Sequence, residues 1–154
     1  MRTRTIMLTL ALCFVAGAVC AASNPFMGTW KLNEAKSKIT PGTAKNVTVV
    51  YEAAGDQIKV TVDGLDGEGK PAHNEWTGKF DGKDYAVTGD PASDMRAVKT
   101  INDHTVELTV KKDGKVTATG KNVVSADGKT RTIKTTGTGP KGEKFMNTGV
   151  YDKQ

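Results

Sequence analysis

From residue 26 onward the chain reads as short runs of alternating apolar and polar side chains, broken at regular intervals by turn residues. In the stretch 57–63, Ile58, Val60 and Val62 share one face, while Lys59, Thr61 and Asp63 share the other. Across 105–111, Val106, Leu108 and Val110 oppose Thr105, Glu107, Thr109 and Lys111, and Val47, Val49 and Tyr51 line one side of 47–52. Successive side chains leave a strand on opposite faces, so this period of two predicts half-buried antiparallel strands. The spacing predicts ten of them, over 26–32, 46–53, 57–63, 72–80, 84–89, 95–101, 104–112, 115–125, 129–138 and 143–151. Only 33–38 has the composition of a helical turn, and it is too short to stand alone.

The punctuation fits the strands. Asp-Gly occurs at Asp63-Gly64, Asp66-Gly67, Asp81-Gly82, Asp113-Gly114 and Asp127-Gly128, a pair that readily takes the positive φ angles of tight hairpins. Gly55-Asp56, Gly89-Asp90-Pro91, Asn102-Asp103 and Pro140-Lys141-Gly142 add further turn signals. Nine turns between ten strands predict an all-β fold, an antiparallel up-and-down meander of about 8–10 strands. A meander must hide its edges, either by closing into a barrel or by splitting into a two-sheet sandwich. The uninterrupted pattern and the long stretches 115–125 and 129–138 favour the closed barrel.

The first residues follow a different rule. Arg2 and Arg4 precede an apolar run from Ile6 to Val19, followed by the small residues Cys20, Ala21, Ala22 and Ser23. This is the layout of a secretory signal peptide. The run falls short of the roughly 17–25 residues a helix needs to cross a bilayer, and no membrane span is expected. Residues 1–21 are therefore read as a cleaved signal and 22–154 as one barrel domain, secreted or periplasmic. Cleavage after Ala22 and lipid attachment at Cys20 are the alternatives, the latter disfavoured by the bulky Val19. Both cysteines, Cys13 and Cys20, lie in this leader, so the domain is expected to fold without a disulfide and to lack a thiolate nucleophile.

The formal charge is +5, and the leader holds two of the four arginines; 18 lysines and only Arg96 and Arg131 remain beyond it. Readers of phosphate favour the planar guanidinium, whereas well-hydrated lysine suits solvated surfaces. The lysines are spread along the chain and interleaved with acids, so a nucleic-acid partner is not expected. His73 and His104 belong to no metal-ligand spacing, and no nucleophile elbow or phosphate-cradling loop occurs. Acids gather only at turns: Asp63, Asp66 and Glu68, then Asp81 and Asp84, then Asp90 and Asp94. Turn chemistry accounts for them, although paired carboxylates also serve acid–base work or calcium. Neither an enzyme nor a cofactor or metal is expected.

The domain opens with Phe26-Met27-Gly28-Thr29-Trp30-Lys31-Leu32. Gly28-Thr29-Trp30 on a first strand resembles the opening motif of lipocalins and of intracellular fatty-acid-binding proteins. That resemblance implies a barrel in which Trp30 packs across the closed end and Gly28 permits close backbone approach. It has limits. Fatty-acid-binding proteins place two helices after the first strand, where 33–45, with Pro41-Gly42 in the middle, is too short for two. They also hold a carboxylate with Arg-x-Tyr on the last strand, where Gly149-Val150-Tyr151 supplies only the tyrosine. Lipocalins usually add a helix after the barrel.

Candidate ligand-binding residues follow from placement. Trp76 and Phe80 share a face, and Tyr85 meets them across the hairpin; cross-strand aromatic packing explains the trio, and so would one wall of a pocket. The late strands are polar on both faces: Thr117, Thr119 and Lys121 oppose Val116, Ala118 and Asn122, while Thr130, Thr132, Lys134 and Thr136 oppose Arg131, Ile133 and Thr135. A wall of this kind implies either a partly polar, wet interior or small side chains pointing inward. Arg131, on the face of Ile133, is the candidate for pairing an acidic headgroup or stacking on Trp30. The expected function is a lipocalin-like carrier of a small apolar or amphipathic molecule. The alternative is an envelope protein-interaction module, an inhibitor or accessory subunit, with a filled barrel and function on loops such as 89–94.

Overall fold

The computed structural model of the chain describes residues 24–139 and 141–154; the signal-peptide reading of 1–21, with Cys13 and Cys20, lies outside these residues, as does Pro140. Ten strands form in the predicted order: β1 (Gly28–Leu32), β2 (Lys45–Ala54), β3 (Gln57–Leu65), β4 (Pro71–Gly78), β5 (Asp81–Thr88), β6 (Met95–Asn102), β7 (Thr105–Lys112), β8 (Lys115–Val124), β9 (Thr130–Thr138) and β10 (Lys144–Lys153). Each pairs antiparallel with its neighbour in sequence, and β10 returns to β1, so the meander closes into a barrel. Closure satisfies the edge groups that an open sheet would leave bare. This architecture is compatible with the lipocalin-like resemblance. The seam between β4 and β5 is the thinnest, paired only at Glu75–Thr88 and Trp76–Val87.

The stretch after β1 holds a single 3-10 turn, Glu34–Lys36, capped by the Asn33 side chain. Ser37 then stitches the chain back to the wall: its Oγ donates to the Asn33 carbonyl at 2.7 Å and accepts from the Val150 amide at 2.9 Å. Lys38 bridges Thr148, so this segment continues beside β10 past the end of β1.

Two of the five Asp-Gly pairs do not turn the chain. Asp63-Gly64 lies inside β3 and Asp81-Gly82 inside β5, whose hairpin turns instead at Lys79 and Phe80. At Gly82 a positive φ of 81° coincides with a register shift against β6, so the glycine makes a bulge rather than a hairpin tip. Asp113-Gly114 behaves as expected, with φ of 49° and 72°. The shared face of Val116 with Ala118 and Asn122 is also broken. A bulge next to Lys111 pairs Val116 with Lys111 and Ala118 with Val110, and Val116 is 56% exposed.

Cross-strand partners share a face, so the pairing register sorts the interior from the surface. Trp30 pairs Val49, which pairs Val62, and Leu32 pairs Tyr151, which pairs Arg131. These positions face inward and are buried. At one end of the barrel, beside the 55–56, 79–80, 103–104 and 125–129 turns, Phe26 lies over the opening and the interior is filled. Toward the other end the walls change. On β7 to β10 the inward positions Val106, Asn122, Val124, Arg131 and Tyr151 are buried, but Leu108, Val110, Ala118, Thr135 and Phe145 are only half-buried. The interior therefore packs tightly at the Trp30 end and is less fully covered toward the 89–94, 113–114 and 139–143 loops. Asn147 is the exception on this wall, covered because its amide bonds the Thr40 amide and the Thr43 hydroxyl.

Candidate functional site

The sequence-predicted aromatics occupy one continuous cluster. Trp76 stands edge-on to Tyr85 with ring centres 5.9 Å apart, and its ring centre is 6.3 Å from that of Phe80. Phe80 meets Phe26 edge-on at 5.9 Å, and Phe26 meets Tyr51 at 6.3 Å. Gly78 makes this possible. A Cβ there would stand 2.5 Å from the Trp76 ring and 2.6 Å from that of Tyr85. The Trp76 indole donates to the Arg96 carbonyl at 3.0 Å, crossing over β5 to do so. Trp76 is fully buried, which makes it part of the packed core.

Arg131 sits at the other end of the same chain of rings. Its guanidinium lies 4.2 Å from the Tyr151 ring centre, 5.4 Å from Tyr51 and 5.8 Å from Trp30. Trp30 is held in turn by its indole nitrogen, which donates to the Phe26 carbonyl at 2.7 Å, and by Lys153 over its outer face at 5.1 Å. Arg131 Nη1 donates to the Tyr51 hydroxyl at 2.7 Å, and Asn122 Nδ2 donates to the same oxygen at 3.3 Å. Arg131 is 2% exposed, and none of the described carboxylates pairs with it. Burial pushes the Tyr151 phenol pKa up, with the Arg131 charge opposing the shift.

The structure thus brings Trp76, Phe80 and Tyr85 together and joins them to Arg131 only through Phe26 and Tyr51. Gly28 and Trp30 stand where the opening motif implies. Gly28 has a φ of 105°, and a side chain there would press on the Lys153 stem.

Arg96 is a polar feature that pattern reading did not assign. It pairs Tyr85 and Val110, so it also faces inward, and its side chain is 15% exposed. The nearest carboxylate, Asp90 in the loop before β6, is 3.8 Å away, too far for a hydrogen bond. Burial lowers the Arg96 pKa, opposed mainly by the Asp90 carboxylate. One signal was available in the sequence. Against 18 lysines the domain keeps only two arginines, and both turn out to face the barrel interior.

The turn acids have local roles. Asp66 accepts from the Glu68 and Lys70 amides, Asp81 from Lys83, Asp90 from Ala92 and Asp127 from Lys129. His73 lies on the outer wall with Nδ1 2.7 Å from Asp63. Two shallow grooves of about 430 and 290 Å³ lie on the outer wall of β7 to β9, lined by Thr109, Thr119, Thr136, Lys121 and Lys134 among others. Such open, hydrated surfaces offer little apolar area to a small molecule. Set beside known proteins, the chain matches no family model and no curated sequence.

Proposed function

We propose that this chain is an exported, secreted or periplasmic, binding protein whose barrel takes a small apolar or amphipathic molecule. The observation that carries the reading is the gradient inside the barrel. One end is sealed by Phe26, Trp30 and Tyr151, whereas Val110, Ala118, Thr135 and Phe145 point inward yet still meet solvent at the other. A sealed floor beneath a looser mouth is the arrangement in which barrels hold small ligands.

The test is native mass spectrometry of the protein purified from its own host, followed by organic extraction. A stoichiometric small molecule supports the carrier and names its class. An empty protein that also fails to bind a fluorescent fatty-acid probe overturns it. That second outcome would favour an interaction module of the envelope, whose motivating observation is that the outer wall of β7 to β9 carries grooves of its own.

A further inference from the structure

Charge inside the barrel is unbalanced. Arg131 is buried with no carboxylate partner and with its Nε unpaired, and Arg96 Nε is likewise buried and unpaired. The Tyr51 hydroxyl accepts from both Arg131 and Asn122, which leaves its own hydrogen without an acceptor among the described side chains. Turning the Asn122 amide over would give that hydrogen its acceptor, but would leave the Asn122 NH₂ unpaired instead. Either way, donors outnumber acceptors around the phenol. Aromatic faces attract a guanidinium, but they satisfy none of its in-plane N–H groups. Water or an anion must do that. Two guanidiniums in one low-dielectric interior strongly favour the anion.

We infer that the barrel is an anion site: the carboxylate or phosphate of an acidic amphiphile docks on Arg96, with Arg131, Tyr51 and Asn122 forming the donor floor beneath it. Arg96 is the second residue of β6, directly after the loop that carries Asp90 at the open end, and is the less buried of the two cations. An acid arriving through that end meets Arg96 first, displacing the Asp90 carboxylate that stands 3.8 Å away. Planar guanidiniums match carboxylate and phosphate oxygens with paired hydrogen bonds. The ligand's apolar tail lies toward the mouth, against Leu108, Val110 and Phe145.

This inference rests on the carrier reading, and the experiment separates the two. Binding of dodecanoate, dodecyl phosphate and dodecanol to the full chain is compared at pH 7.5 by displacement of a fluorescent probe. Both acids should bind about tenfold or more tighter than the alcohol, as charge-assisted pairing requires, and the tighter of the two identifies the headgroup. In Arg96→Met that preference should fall several-fold, the Arg131 floor keeping the remainder, while dodecanol affinity changes far less. Equal affinities for all three in the wild-type protein overturn the anion site and leave the carrier standing. Failure of all three to bind overturns both. An undiminished acid preference in Arg96→Met overturns the assignment of Arg96. Arg131→Lys, which keeps the charge but not the fork, should weaken the acids selectively; a purely structural Arg131 would lower the melting temperature and leave the acid-to-alcohol ratio alone.

Discussion

Trp30 carries the floor of the barrel, and Trp30→Ala measures how much. The side chain is completely buried. An indole buries on the order of 150–250 Å², worth about 4–6 kcal/mol at ~25 cal/mol/Å², and alanine recovers little of it. The substitution also strips the Phe26 carbonyl of its 2.7 Å donor and takes one aromatic face from Arg131. Partial collapse around the cavity offsets some of the loss, and large-to-alanine changes in cores cost about 3–5 kcal/mol. We expect about 4 kcal/mol. With an unfolding entropy of about 2.1 cal/mol/K per residue over ~130 residues, that lowers the melting temperature by roughly 15 °C. Urea unfolding followed by circular dichroism gives the free energy directly. Trp30→Phe is the control: it keeps a ring but no N–H, and should cost about 1–3 kcal/mol. A loss below ~1 kcal/mol in Trp30→Ala refutes the floor assignment. Equal losses in the two variants would refute the packing argument and move the energy to the N–H bond.

Tyr51→Phe removes the one oxygen that accepts from both Arg131 and Asn122, so it should cost about 1–3 kcal/mol in urea despite the nearly unchanged shape; a neutral result means those donors find another partner. Gly78→Val places a branched side chain where Trp76 and Tyr85 already stand and should destabilise by about 1–3 kcal/mol or more, whereas Gly42→Ala, with open space around it and a φ of 82°, should cost only about 1 kcal/mol of backbone strain. Comparing their unfolding midpoints separates crowding from strain. Lys79 beside Asp56, Lys59 beside Glu75, the Lys70 amide on Asp66 and the Ser125 hydroxyl on Asp127 hold these carboxyls below their ordinary values of 3.8 to 4.5. Depressed folded-state pKa values stabilise the fold above the unfolded pKa and lose that contribution as pH falls through the folded one. Urea midpoints should therefore hold between pH 7 and 5 and fall by pH 3, and a midpoint unchanged at pH 3 contradicts these ion pairs and turns.

Arg131 shows how a residue read correctly for placement can change meaning in the fold. Alternation put it on one face with Ile133 and Thr135, and the Trp30 stack was legible as an option. The depth was not. At 2% exposure, flanked by three rings, its loss removes packing as well as charge. Arg131→Ala therefore tests stability as much as binding, and Arg96 is the cleaner probe of a ligand. Arg96 escaped notice because Met95–Asn102 alternates weakly, with apolar residues on both faces.

The strand count, the antiparallel order and most strand limits were written in local patterns, because period-two alternation and turn residues act over a few positions. So was the single face that Arg131, Ile133 and Thr135 share on β9. Closure was favoured by the length of the pattern, but the β1–β10 pairing that achieves it joins residues at opposite ends of the domain. Only the tertiary structure decided which Asp-Gly pairs turn and which bulge, since that depends on the register of the partner strand. It alone brought Tyr51, Asn122 and Arg131, from β2, β8 and β9, onto one oxygen and left their remaining donors unpaired. Side chains that far apart in sequence meet only when the barrel closes, and the charge balance of an interior exists only once there is an interior.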